Sequence, residues 1–222
     1  MSEALERLAS EFIAVVDDVL LDDLGPGLFA GLPARLRERS RSGRVERRMQ
    51  PVVDTWLTRA VDASTGPWTD LAQALLAASA ELDWIVSYPH LERSAAVDAF
   101  RPNYSFAALM GPAFRGRNPP FHADDLLAGF SIQAPHVTYP AHHHEPPELY
   151  GVLSGTIDWQ IGETWHTKSP GELAVHRSHE SHSMRTTDEP TLTWVCWPRG
   201  ADSHVYMPSM DPADNTMPPT VY

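Results

Sequence analysis

The chain has a single cysteine among its 222 residues, Cys196. One thiol excludes an internal disulfide and a Cys-rich zinc site. Set in the apolar run Thr-Trp-Val-Cys-Trp, it reads as a buried small hydrophobe rather than a reactive thiol. Basic residues are also scarce: 17 Lys plus Arg against 29 Asp plus Glu leave a formal charge of -12. That balance works against attraction to nucleic acid or anionic lipid and points to a small-molecule partner. No apolar run approaches the roughly 20 residues of a membrane span. Glu3 and Glu6 stand where a signal peptide would be basic and then apolar, so the expected compartment is the cytoplasm. There is no internal repeat and no low-complexity tract.

What is present divides into two halves. From Ser2 to about Leu20 the apolar positions Leu5, Leu8, Phe12, Val15 and Val19 recur at three- and four-residue steps, the spacing of one helical face. Further helices are predicted from Pro33 to about Ser42, from Val52 to Val61 and from Thr69 to Val86, with Gly66-Pro67 between the last two. Their apolar stripes are expected to cover a barrel or a dimer interface, a homodimer being one possibility. From about Phe130 the composition becomes β-rich, as in Thr156 to Ile161 and Thr191 to Trp197. Prolines 208, 212, 218 and 219 predict a draped tail that cannot extend a sheet. The expected organisation is a helical extension over 1–95 and a β domain over 96–222.

Ten of the eleven histidines fall between His122 and His204. Within this region Tyr139-Pro-Ala-His142-His143-His144-Glu145-Pro-Pro-Glu148-Leu-Tyr150 carries the chemistry. Alternate side chains of a strand share a face, so His142 and His144 point one way and His143 the other. Glu148 and Tyr150 share parity after a Pro146-Pro147 corner that lets the chain fold back. One of His176, His179 and His182 is expected to complete the cluster. Imidazoles plus a carboxylate form the ligand set of one borderline divalent transition metal ion: Zn, Fe(II), Mn, Co or Ni.

These residues resemble the cupin superfamily. Its first motif, Gly, five residues, His-x-His, three or four residues, Glu, six residues, Gly, fits His142, His144, Glu148 and Gly155. The first Gly and the His of the second motif fall on Gly171 and His182. The chain departs from the motifs at His136, Arg177, His179 and Thr186. The resemblance covers roughly residues 125 to 205. It implies a mainly β fold, a jelly-roll barrel with the metal inside, and His142, His144, Glu148 and His182 as ligands, with His179 as the fallback.

The wider set Tyr139, His142, His144, Glu148, Tyr150, His182 and Trp197, behind a helical extension, is similar to the cupin dimethylsulfoniopropionate (DMSP) lyases of the DddQ and DddL type. That resemblance implies a carbon-sulfur lyase in which Tyr150 is the base and Tyr139 and Trp197 line the pocket. Removal of the proton alpha to the substrate carboxylate would expel dimethyl sulfide and leave acrylate. A phenol must be ionised to act as base, and a nearby cation favours that form. The sulfonium is a diffuse cation of the kind aromatic faces bind, and Tyr139, Trp194, Trp197 and Tyr206 are the candidates for its cage. Strand parity lets only one of Trp194 and Trp197 face the pocket, and Trp197 is preferred. Tyr150 has a structural alternative, a hydrogen bond to the Glu. Two other functions fit the same ligands: an Fe(II) dioxygenase, distinguished by oxygen consumption, and a non-enzymatic small-ligand-binding protein.

Overall fold

The computed structural model describes residues 2–19, 21–42, 48–88, 95–114, 116–207 and 220–221. The stretch from Pro208 to Pro219, expected to form a draped tail, lies outside them, as does Gly43. Helix α1 (Glu3–Asp18) starts where the Ser2 hydroxyl accepts the Leu5 N–H, and it buries Leu5, Leu8, Phe12 and Val16. Helices α2 (Leu32–Arg37), α3 (Pro51–Asp62), α4 (Thr69–Ala78) and α5 (Ala95–Phe100) follow.

Two helices stop earlier than their patterns predict. Helix α2 ends at Arg37, and β1 (Ser40–Arg41) pairs with β4 (Phe121–His122). Arg39 thereby stacks over the Phe121 ring and Arg41 reaches Glu6. Helix α4 ends at Ala78, tightens into a short 3-10 turn over Ser79–Glu81, and gives way to β2 (Trp84–Ile85). Asp83 decides this ending, because its buried carboxylate accepts both Arg48 (2.8 and 2.7 Å) and Asn118 (2.9 Å). The Trp84 N–H goes to the Arg48 carbonyl instead of continuing the helical ladder.

The β structure begins well before Phe130. β3 (Tyr104–Met110) and β5 (Leu127–Gln133) are buried along almost their whole length, so neither shows the polar alternation that marks a half-exposed strand. The remaining strands are β6 (Thr138–His144), β7 (Glu148–Ser154), β8 (Ile157–Ile161), β9 (Thr164–Lys168), β10 (Leu173–His176), β11 (His182–Thr186), β12 (Thr191–Trp197), β13 (Val205–Met207) and β14 (Thr220–Val221). They form two sheets. One runs β1-β4-β3-β5-β12-β7-β10 with β2 beside β3, and the other β14-β13-β6-β11-β8-β9. This is the jelly-roll barrel with a helical N-terminal extension that the motif implied. Contrary to the expectation for the tail, Thr220 and Val221 do extend a sheet; neither is proline, so both can donate to the ladder.

Helix α3 lies on β3, β5, β7 and β12, and α1 packs on α4. The contact is aromatic: Trp194 meets Phe12 and Trp68 edge-on at 5.9 and 5.5 Å, and Phe12 meets Phe130 at 5.5 Å. Trp194 fits because its cross-strand partner is Gly151, where an added Cβ would lie 2.1 Å from the indole nitrogen. Gly151→Ala is therefore expected to lower stability by about 2 kcal/mol or more through overpacking, read as a fall in the midpoint of urea unfolding.

Candidate active site

The two sheets deliver their polar side chains to one buried point. His142 and His144 come from β6 and His182 from the start of β11, while Glu148 and Tyr150 come from β7 and His176 from the end of β10. All six are buried. Three imidazoles are locked in the same manner: Nδ1 of His142 donates to the Pro140 carbonyl (2.8 Å), Nδ1 of His144 to Pro146 (2.9 Å) and Nδ1 of His182 to Glu180 (2.8 Å). A carbonyl only accepts, so each ring carries its proton on Nδ1 and presents the Nε2 lone pair inward. Nε2 of His144 and Nε2 of His182 each lie 3.2 Å from Oε2 of Glu148. With both protons committed elsewhere, lone pairs face an acceptor oxygen, and His182 Nε2 is a buried atom without a hydrogen-bond partner.

A divalent cation resolves that conflict, and the donor chemistry fits one. The ligand atoms of His142, His144 and His182 lie within 4.8 Å of one another, as do those of Glu148, His176 and His182. Burial, reinforced by the neighbouring rings, lowers the pKa of His142 far below its ordinary value, and burial brings that of His182 down to about 3. Both are neutral at pH 7, the form that can bind a metal. Burial works to raise the Glu148 carboxyl, but hydrogen bonding from the His176 N–H works the other way, and the group stands well below the usual carboxylate range.

Glu148 is held at both oxygens. The Trp197 indole N–H donates to Oε1 at 2.6 Å and His176 Nδ1 donates to Oε2 at 2.9 Å. Trp197, expected as a pocket wall and a candidate for the sulfonium cage, gives its indole N–H to the carboxylate and so orients it.

Four tyrosines gather beside this cluster, two of them not anticipated. Burial first, then the Glu148 charge, pushes the pKa of the Tyr150 hydroxyl well above 10. Tyr88 and Tyr139 share a short hydroxyl-hydroxyl hydrogen bond. Tyr88 carries no periodic or motif signal: it sits in the coil after β2 with φ 54°. Tyr104 was hidden by the uniformly buried β3. Tyr139 stacks on His142 at 4.3 Å on one side and on Phe100 at 4.6 Å on the other. Both faces of the ring are covered, so it offers a hydroxyl, not a cation-binding face.

Two cage candidates lie elsewhere. Trp194 points out of the barrel into the helical layer, as its parity with Leu192 and Cys196 requires. Tyr206 pairs across the ladder with His143 and stacks on it at 5.3 Å, on the face of β6 opposite His142 and His144. His136 and His179 are exposed turn residues at φ 59° and 60°. Cys196 is fully buried, and burial pushes its thiol pKa up.

The family model of the DMSP lyases matches residues 29–193, about three quarters of the chain. The chain belongs to the DMSP lyase family. The span that matches this lyase family contains every imidazole and carboxylate of the cluster. Among individual proteins, the DMSP lyase DddQ of Ruegeria pomeroyi is 27% identical over 137 residues, 61% of this chain and 64% of the relative. A DddL protein of Cereibacter sphaeroides is 29% identical over 161 residues, 71% of this chain and 63% of the relative. The chain therefore spans a little under two thirds of the length of these two curated relatives. The crystal structure of the R. pomeroyi DMSP lyase DddQ matches with a TM-score of 0.72 at 23% identity, over 99% of this chain and 96% of that one. That likeness to a lyase-family structure shows the cupin fold with its helical extension.

Proposed function

We propose that the protein is a metal-dependent lyase that cleaves DMSP by β-elimination into dimethyl sulfide and acrylate. The observation that carries the reading is the buried meeting of three Nε2 lone pairs and the Glu148 carboxylate beside a tyrosine cluster, in a chain of this family. His142, His144, His182 and Glu148 would hold a divalent transition metal ion. When bound, such an ion supplies Lewis-acid stabilisation of the charge that develops at the substrate carboxylate, and offsets the Glu148 charge that now raises Tyr150.

The residues of the chain do the rest. Tyr150 removes the proton alpha to the carboxylate, the new C=C bond forms, the C–S bond breaks, and the electron pair leaves with dimethyl sulfide. Tyr139 is held rigidly by its stacking partners and by Tyr88, so its hydroxyl is preset toward the same volume. Burial of the cluster excludes bulk water, which strengthens each of these interactions.

The test is headspace gas chromatography of the metal-loaded protein mixed with DMSP, beside an EDTA-treated control. Release of dimethyl sulfide that EDTA abolishes is the expected result. No release from protein shown to hold metal would sink the lyase reading and make oxygen uptake the next measurement.

A further inference from the structure

His182 is shared by two groups with metal-ligand spacing, one with His142 and His144 and one with Glu148 and His176. Only one arrangement leaves His176 out. Its ring is buried completely, stacks on the His182 ring at 3.6 Å and 13°, and lies between two hydrogen bonds. The Trp159 indole, which can only donate, gives its N–H to Nε2 of His176 at 2.8 Å. That nitrogen must be the acceptor, so the proton sits on Nδ1 and is donated to Oε2 of Glu148 at 2.9 Å.

We propose that Trp159 and His176 are a positioning pair for the metal site: the indole fixes the His176 tautomer, which bars His176 from ligation and makes it a donor that holds Glu148 Oε2 toward the Nε2 atoms of His144 and His182. The inference rests on the metal reading of the site but not on the identity of the substrate. Three features support it. Oε2, the oxygen His176 contacts, is the one that faces the two lone pairs. The other oxygen already has its donor in Trp197, so the two N–H groups together fix the carboxylate plane. His176 (β10) and Trp159 (β8) come from opposite sheets, so the chain of donors ties Glu148 to the barrel as a whole. Outer partners of this kind contribute roughly 10- to 100-fold to metal affinity.

The experiment is titration of the metal-stripped protein with Co(II), reading the dissociation constant and the visible d–d spectrum. His176→Leu is expected to weaken binding by roughly 10- to 100-fold and to shift the spectrum. His176→Asn, whose amide nitrogen takes the place of Nδ1, is expected to restore both. Trp159→Phe keeps most of the aromatic volume and removes the tautomer lock, and it is expected to weaken binding as well. Unchanged affinity and spectrum in His176→Leu, or an Asn variant no better than Leu, overturns the proposal. Should the Leu variant not fold, the pair Trp159→Phe and His176→Asn decides, and wild-type behaviour of Trp159→Phe overturns it. No DMSP is present, so failure of the lyase reading leaves the outcome untouched. A wild-type protein that takes up no Co(II) overturns the metal reading and this proposal together.

Discussion

His182→Ala is expected to yield a folded protein that no longer retains metal after gel filtration, measured by elemental analysis beside far-UV circular dichroism. The Nε2 atom it removes is buried, lacks a hydrogen-bond partner and belongs to both groups with metal-ligand spacing, so no other side chain substitutes for it. The loss in affinity should exceed the roughly 10- to 100-fold that outer partners supply. His179→Ala is the control. Its ring is exposed, 5.9 Å from the His143 ring on the outer side of β6, and its main-chain N–H, which alanine keeps, donates to the His144 carbonyl at 2.7 Å. Full metal occupancy in His182→Ala together with loss in His179→Ala would move the fourth ligand.

Tyr150→Phe is expected to keep both fold and metal while kcat for dimethyl sulfide release falls roughly 100- to 10,000-fold, the usual contribution of a general base. The substitution deletes one oxygen. The ring keeps its packing on Trp159 and His176, at 4.9 and 5.9 Å between centroids, and Glu148 keeps the donors Trp197 and His176. A loss of activity accompanied by loss of metal would instead mean that Tyr150 serves Glu148, the structural alternative open to it. A near wild-type rate with metal bound would remove Tyr150 as the base and direct attention to Tyr139.

The corrections share a cause. Tyr139 lies three residues before His142, and strict alternation would set the two on opposite faces of β6. They stack at 4.3 Å because a bulge sits between them: β11 advances two residues, His182 to Met184, while β6 goes back three, His142 to Tyr139. Helices α2 and α4 end early because Arg39, Arg41 and Asp83 find partners across the fold, which no helical period encodes. Trp194 and Trp197 do obey simple parity, since β12 pairs with β5 in unbroken register.

The sequence by itself determined the half of the chain that carries chemistry and the meeting of His142, His144 and Glu148, because those facts depend on local spacing and on a proline corner, while the barrel followed from the resemblance of those motifs to the cupins. Only the tertiary structure decided that Tyr88 and Tyr104 join the tyrosine cluster, that Tyr206 does not face it, and that His176 turns its N–H to Glu148. Each of these depends on which strands lie side by side and in what register, or on where a coil segment packs. Such contacts are set by register and by the packing of distant segments, and they leave no period in the chain.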